Sequence, residues 1–470
     1  MAGESVSNTG KRKGSTVNEP PKLDLECYIH NYSGRTRIQR LIHIGKYSAY
    51  LGVDALKLAT KEAKETRDLK RYLKALNYLR HIAPNEPEAK NDQVWCEQSE
   101  RENQAKSAHL EAQLKSYKNN LIKESVRMGN EDLGNHYQSI GELGKSYEAF
   151  SRMRQDISQA KQVIDISRHL IEVGIEQSNF NGIHSNIQKI RGIQGSAEDE
   201  KAIQPFISAA EGLVRLNGSE YKMAARAFLN TDAGMGTSCS TIISPNDIAT
   251  YGGICALASM DRNEIQTRVL ENSSFRAYLE LEPHIRKAIT FFVNSRYSAC
   301  LSILESYRND YLLDIHLQKH VDTLYSQIRA KSIVQYFIPF SCVTLDSLND
   351  AFASSDPNST IEKELAGMIE RKELDGRIDT QNRLLTSVFQ VPREALQNNA
   401  LDTAKKYERE ARLRIQHMNI VGAELEVKGA KKQQGGHGSI VGSFDADDGG
   451  YGGGPWNESA RQLRSRPTPW

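Results

Sequence analysis

Residues 132–153 read Asp132-Leu133-Gly134-Asn135-His136-Tyr137-Gln138-Ser139-Ile140-Gly141-Glu142-Leu143-Gly144-Lys145-Ser146-Tyr147-Glu148-Ala149-Phe150-Ser151-Arg152-Met153. The spacing of Leu133, Gly134, Tyr137, Gly141, Ser146, Phe150 and Met153 predicts two short antiparallel helices joined by a tight turn. Small residues at Gly134 and Ser146 let the helices approach, and Leu133, Tyr137 and Phe150 fill the groove between them. Gly141 falls in the turn, where a residue without Cβ takes a positive φ at little cost. One such pair cannot cover its own faces, so neighbours must stack on it.

Outward from this pair the apolar spacing stays helical. Weaker pairs are expected over 163–190 and 206–228, the latter with a Leu216-Asn217-Gly218 turn and an Ala224-Ala225-Arg226-Ala227-Phe228 run. Upstream, Leu69, Tyr72, Leu73, Leu76 and Leu79 form one apolar stripe, ended by Pro84 and Pro87. A further helix is expected over 91–128, with Leu110, Leu114, Tyr117 and Leu121 on one face. The motif has the order of a tetratricopeptide repeat, whose period is about 34 residues. That period does not persist, so residues 26–316 are read as an irregular TPR-like array.

The pattern changes at about residue 317. A helix over 317–337 leads to a short extended piece, 342–345. A helix over 347–353 follows, capped by Asp346. Ser359 and Glu362 have capping-box spacing at the start of a helix over 360–372, which Gly376 ends. Extended pieces 377–379 and 384–388 close the segment. Helix, strand, helix, helix, strand, strand is the order of a winged helix, placed at 317–395. A last helix is expected over 393–427. Its Leu401, Ala404, Ala411, Ile415, Met418 and Leu425 fit a heptad interrupted by Glu408 and Gly422. That stripe either folds back on its own winged helix or enters a bundle with other chains, and it assigns 396–427 to a bundle helix. The fold class is therefore mainly α, with a helical array, a winged helix and a long C-terminal helix.

A chain of 470 residues is too long for one core. Charged residues make up 26% and hydrophobic ones 39%, with a formal net charge of +2, so no global field argues for nucleic acid or a membrane surface. No apolar run reaches membrane-spanning length. The six cysteines are scattered without a C-x-x-C pair and read as reduced thiols of a cytoplasmic or nuclear protein. Residues 1–25 and the glycine-rich 428–470 are expected to be disordered tails. Lys11-Arg12-Lys13 reads either as a nuclear address or as a solvated part of the tail.

No catalytic, cofactor or metal site emerges. Gly144-Lys145-Ser146 ends like a phosphate-binding loop, but Ser139 stands where that motif requires glycine. The twelve histidines include no H-E-x-x-H. His316 and His320 stand four apart, with Asp314 the one acid at a candidate ligand spacing, and read as a helix surface or a subunit contact. Groove binding of DNA needs cations on the recognition helix. Here Glu362, Glu364, Glu370 and Glu373 face only Lys363, Arg371 and Lys372, with Arg377 and Arg383 in the wing. A winged helix of this kind still offers a sheet edge that a neighbouring chain can extend, and Leu384 and Thr386 are the candidate residues for it.

Several stretches resemble a known family. They are Ile243-Ser244-Pro245-Asn246, Tyr251-Gly252-Gly253-Ile254-Cys255-Ala256-Leu257-Ala258, Asp261-Arg262, Ser273-Ser274-Phe275, Leu279-Glu280-Leu281-Glu282-Pro283 and Tyr311-Leu312-Leu313-Asp314. The run from His320-Val321 to Ile333-Val334-Gln335-Tyr336-Phe337 and the Asp132 to Tyr137 segment continue the match. Over about residues 26–427 the chain resembles the subunit-one family of the COP nine signalosome, a PCI-domain family related to a proteasome-lid subunit. The resemblance implies winged helices aligned edge to edge with other PCI subunits, C-terminal helices gathered in a bundle, and a non-catalytic scaffold role. It implies that a zinc isopeptidase in another subunit removes the ubiquitin-like modifier from cullins, and that the N-terminal array is an arm that contacts other subunits or the cullin-RING ligase. The alternative is a paralogous proteasome-lid or translation-initiation PCI subunit.

Overall fold

The computed structural model describes residues 17–120, 123–157, 159–192, 197–232, 240–352, 361–388, 392–423 and 425. The chain divides into two units, Met1–Phe389 and Gln390–Trp470.

In the first unit helices pack on their neighbours along the chain: Gly34–Tyr47 on Gly52–Thr66, Gln93–Asn119 on Lys123–Ile140, Ala160–Gln177 on Phe180–Arg191, and Ala197–Asn217 on Tyr221–Leu229. The pair Lys123–Ile140 and Leu143–Arg152 forms where the 132–153 pattern placed it. A Cβ on Gly134 would lie 2.6 Å from Phe150 Cε1, and Ser146 Oγ donates to the Gly134 carbonyl at 2.8 Å. Gly141 turns the chain at φ +86°. The same device recurs at Gly212, whose Cβ would meet Phe228 Cε1 at 2.4 Å. Later turns use serine: Ser178, Ser219 and Ser295 sit at φ 60°, 61° and 61°, each just after a helix.

Local chemistry sets the ends of these helices. Asp68 accepts from the Arg71 N–H, and Asn179 from the Gly182 N–H. Ser244 and Asp247 form a capping box around Pro245, the first residue of the Pro245–Ser259 helix. That helix is buried nearly all round, as its apolar sequence requires.

One large core runs from Val17 to Leu385. Two smaller clusters hold the middle of the array. One contains Phe150, Met153, Ile166, Leu170 and Val173, the other Leu114, Val126, Leu133 and Tyr137. Burying a side chain such as Phe150 contributes about 2–3 kcal/mol.

The winged helix follows. Helices Val321–Phe337, Leu345–Ala351 and Ile361–Glu370 pack with strands Cys342–Thr344, Gly376–Asp379 and Leu384–Ser387. All pairings are antiparallel, and Leu384–Ser387 is the middle strand. Val343 and Ile378 both register with the fully buried Leu385. Arg329 Nε donates to Glu364 at 2.9 and 3.1 Å, tying the first helix to the Ile361–Glu370 helix.

Several local expectations are corrected. Residues 17–24 are not a tail: Val17 is 3% exposed, and its N–H donates to the Tyr47 carbonyl at 2.8 Å. The helix expected over 91–128 is two helices, Gln93–Asn119 and Lys123–Ile140, which fold together so that Leu114 and Tyr117 pack on Gly129. Thr344, not Asp346, caps the Leu345–Ala351 helix, its hydroxyl accepting from the Ser347 N–H. Gly376 opens a strand rather than ending a helix. The proposed Ser359 cap, residues 1–16 and 428–470 lie outside the described residues.

The second unit contains one described helix, Pro392–Gly422. Leu425 lies three positions past its end.

Candidate functional site

Five of the six heptad residues lie on the Pro392–Gly422 helix. Leu401, Ile415 and Met418 are 57%, 57% and 69% exposed, Ala404 is exposed and Ala411 half-buried. Leu425, beyond the helix, is 72% exposed and is not part of the helical stripe. Leu396, Tyr407, Leu413, Ile420 and Val421 are exposed as well, so the apolar surface is broader than the heptad alone marks.

The sheet places the other candidates differently. Leu384 and Thr386 sit on the middle strand, whose backbone pairs with Thr344 and Cys342 on one side and with Asp379 and Arg377 on the other. Neither offers a free backbone edge. Among the described residues, the open edges belong to the two outer strands. Beside the first of them Ile338 and Phe340 are 67% and 43% exposed. The wing cation Arg383 lies 3.3 Å from Asp346 and 3.7 Å from Glu362, and Arg371, just past the Ile361–Glu370 helix, lies 3.1 Å from Glu373.

His316 and His320 are not on a helix surface. They lie in the turns between Leu312 and Val321, His316 half-buried near the Tyr251 ring and His320 buried within 3.2 Å of the Tyr221 hydroxyl. Asp314 is not a free ligand either, because Arg40 takes it. The described residues include no group of three or more His, Cys, Asp or Glu placed to hold a metal ion. No described helix is long and apolar enough to cross a membrane.

Arg40 is the centre of the array. Its side chain, 1% exposed, reaches Asp247 at 2.8 Å and Asp314 at 2.6 Å. Tyr251 donates to Asp314 at 2.8 Å, Tyr32 donates to Asp247 at 2.7 Å, and Arg40 also donates to the Tyr28 hydroxyl. The Tyr251 block and the Tyr311-Leu312-Leu313-Asp314 block thus meet on one guanidinium from the Gly34–Tyr47 helix. Burial alone would raise Asp314, but Arg40, His316 and the Leu317 N–H outweigh it and hold its carboxyl below the usual carboxylate range. Burial pushes Asp247 up, with Arg40 opposing. Sequence reasoning missed Arg40. The available signal was a cation on the same helical stripe as the buried Leu41 and Ile44. Such a residue is almost never fully buried unless paired.

A second tie joins the N-terminal helices to the middle of the array. Arg35 lies 2.5 Å from Asp68 and 2.6 Å from Glu176, and Gln138 donates to Glu176 at 2.7 Å.

Helical array, three-stranded winged helix and exposed terminal helix define a PCI-domain protein, and the PCI domain model matches residues 304–387. The model of 26S proteasome subunit RPN7 matches residues 92–268. The chain is 48% identical over 421 residues to COP9 signalosome complex subunit 1 of Emericella nidulans, covering 88% of this chain and 84% of that protein. It is 37% identical over 437 residues to the subunit of the same name in Arabidopsis thaliana, covering 92% and 96%. Against the 26S proteasome regulatory subunit RPN7 of Saccharomyces cerevisiae it is 19% identical over 258 residues, covering 54% and 59%. The chain belongs to the COP9 signalosome subunit 1 family.

Proposed function

We propose that this signalosome-family subunit is a non-catalytic scaffold. Its winged-helix edge and terminal helix join other PCI subunits, and the assembly removes a ubiquitin-like modifier from cullins through an isopeptidase in a different subunit. In this reading the helical arm meets the cullin-RING ligase, and the protein works in cytoplasm and nucleus. The observation that carries the proposal is the apolar surface of the Pro392–Gly422 helix, with Leu401, Ile415 and Met418 each more than half exposed. Exposed apolar surface of that extent marks an interaction site. Leu401, Ala404, Ala411, Ile415 and Met418 are its contact residues, with Leu425 flanking. On the sheet, strand addition falls to Cys342–Thr344 or Gly376–Asp379 rather than to Leu384 and Thr386. The lid and translation-initiation alternatives gain nothing from the 19% identity to the lid subunit.

The test is reconstitution. The complex assembled with this chain should strip the modifier from a cullin. Omission of the chain should abolish the activity, and the chain alone should turn nothing over. Full activity of the complex without it would defeat the scaffold reading.

A further inference from the structure

The array carries a groove of about 420 Å³ lined by its Gln93–Asn119, Lys123–Ile140 and Leu143–Arg152 helices. That volume lies within the range of formed ligand sites. Its floor is apolar and well fixed: Leu114 is 5% exposed, Leu133 3%, Tyr137 6% and Ala149 1%. Its rim is charged and unbalanced. Lys115 and Lys118 lie on one wall and Lys145 on the other, all exposed, and none makes a salt bridge among the described residues, although Lys145 is near enough to Glu142 to help hold that carboxyl down. Lys145 Nζ lies 5.6 Å from the centroid of the Tyr137 ring. The rim acids are engaged: Glu111 accepts from the Tyr137 hydroxyl at 2.5 Å, and Glu148 lies 3.4 Å from Arg152.

We propose that this groove is a docking site for an acidic peptide segment bearing an apolar anchor side chain. The anchor packs on Leu114, Leu133 and Ala149, and flanking carboxylates meet Lys115, Lys118 and Lys145. Charge complementarity selects the occupant: unpaired cations flank an apolar floor, while the cations that could compete for internal partners are already paired. A duplex or single strand would need a continuous basic track along its phosphates. Here three lysines gathered at one groove make no such track. The proposal is independent of the scaffold reading, since it concerns helices remote in sequence from the terminal helix and the sheet.

The test uses the full chain and fluorescence anisotropy with a labelled twelve-residue probe of Asp and Glu around one Phe. Controls are the same probe with Lys for each acid, the same probe with Ser for Phe, and a single-stranded DNA of equal charge. The acidic probe should bind with an affinity that falls as salt rises, and loss of the Phe should weaken it several-fold. The variant Lys115→Glu/Lys118→Glu/Lys145→Glu changes only exposed side chains, so its melting midpoint should hold. It should lose at least tenfold in affinity for the acidic probe and gain affinity for the lysine probe. Equal binding by wild type and triple variant, no binding at all, or tighter binding of the DNA would overturn the proposal.

Discussion

Arg40 Nη1 lies 2.6 Å from the Asp314 carboxylate across 274 residues of chain, and both side chains are buried. With Asp247 at 2.8 Å, this pairing pins the Gly34–Tyr47 helix to the Pro245–Ser259 helix and to the turn after Leu312. Removing one partner of a buried pair leaves uncompensated charge, which costs about 3 to 5 kcal/mol. Arg40→Ala should therefore cost that much in denaturant unfolding. Arg40→Lys should recover little of it, because one ammonium cannot reproduce the fork that spans both carboxylates.

Acid should weaken the fold through buried imidazoles before the Asp314 carboxylate is protonated. Burial holds His43, His284 and His316 down to about 4, only partly offset by Asp314 for His43 and His316. In the unfolded chain these imidazoles titrate near 6.5. As pH falls from 6.5 toward 4, the unfolded state binds protons that the folded state refuses, and stability drops by about 1 to 2 kcal/mol per histidine at pH 5. Asp314 is lowered in the same direction, but from an unfolded value of 3.8, so its contribution is intact through this window and is lost only under stronger acid. Thermal midpoints at pH 7.5, 6 and 5 should fall in that order. His43→Phe should flatten the slope without leaving an orphaned group, since its Nε2 has no partner.

Close approach of helices should show as coupling between a small and a large residue. A Cβ at Gly134 would lie 2.6 Å from Phe150. Gly134→Ala should cost about 1 to 3 kcal/mol through overpacking. Gly134→Ala/Phe150→Leu should be more stable than the two single costs predict, as expected of side chains in contact. Strict additivity in a double-mutant cycle would contradict the packing described.

Much of the fold was legible because it rests on local periods. The 132–153 pair, the order of the winged helix and the long terminal helix each follow from apolar spacing and turn residues. What was not legible depends on long-range partners. Residues 17–24 look like tail in composition, yet Glu19 and Lys22 bond to Asn309 and Asp310, which no local pattern reveals. Strand order is equally nonlocal. Leu384 and Thr386 sit in a strand that reads like its neighbours, and only pairing on both sides shows that it is the middle one. Asp314 looked like a stray acid beside two histidines until Arg40 supplied its partner.

The terminal helix should matter for assembly and not for folding of the array. Ile415 and Met418 are 57% and 69% exposed. Ile415→Asp and Met418→Asp should leave circular dichroism and the melting midpoint of the isolated chain within experimental error. Each should lower recovery of partner subunits several-fold in affinity capture. Normal recovery with both changes would remove the helix from the interface.

The account stands or falls on whether this chain lives in an assembly of PCI subunits. Affinity capture from native cells, followed by native mass measurement with identification of each subunit, reads that directly. The expected result is one multi-subunit complex holding this chain, further PCI subunits and a zinc isopeptidase. A free monomer, or a complex made of proteasome-lid components, would contradict it.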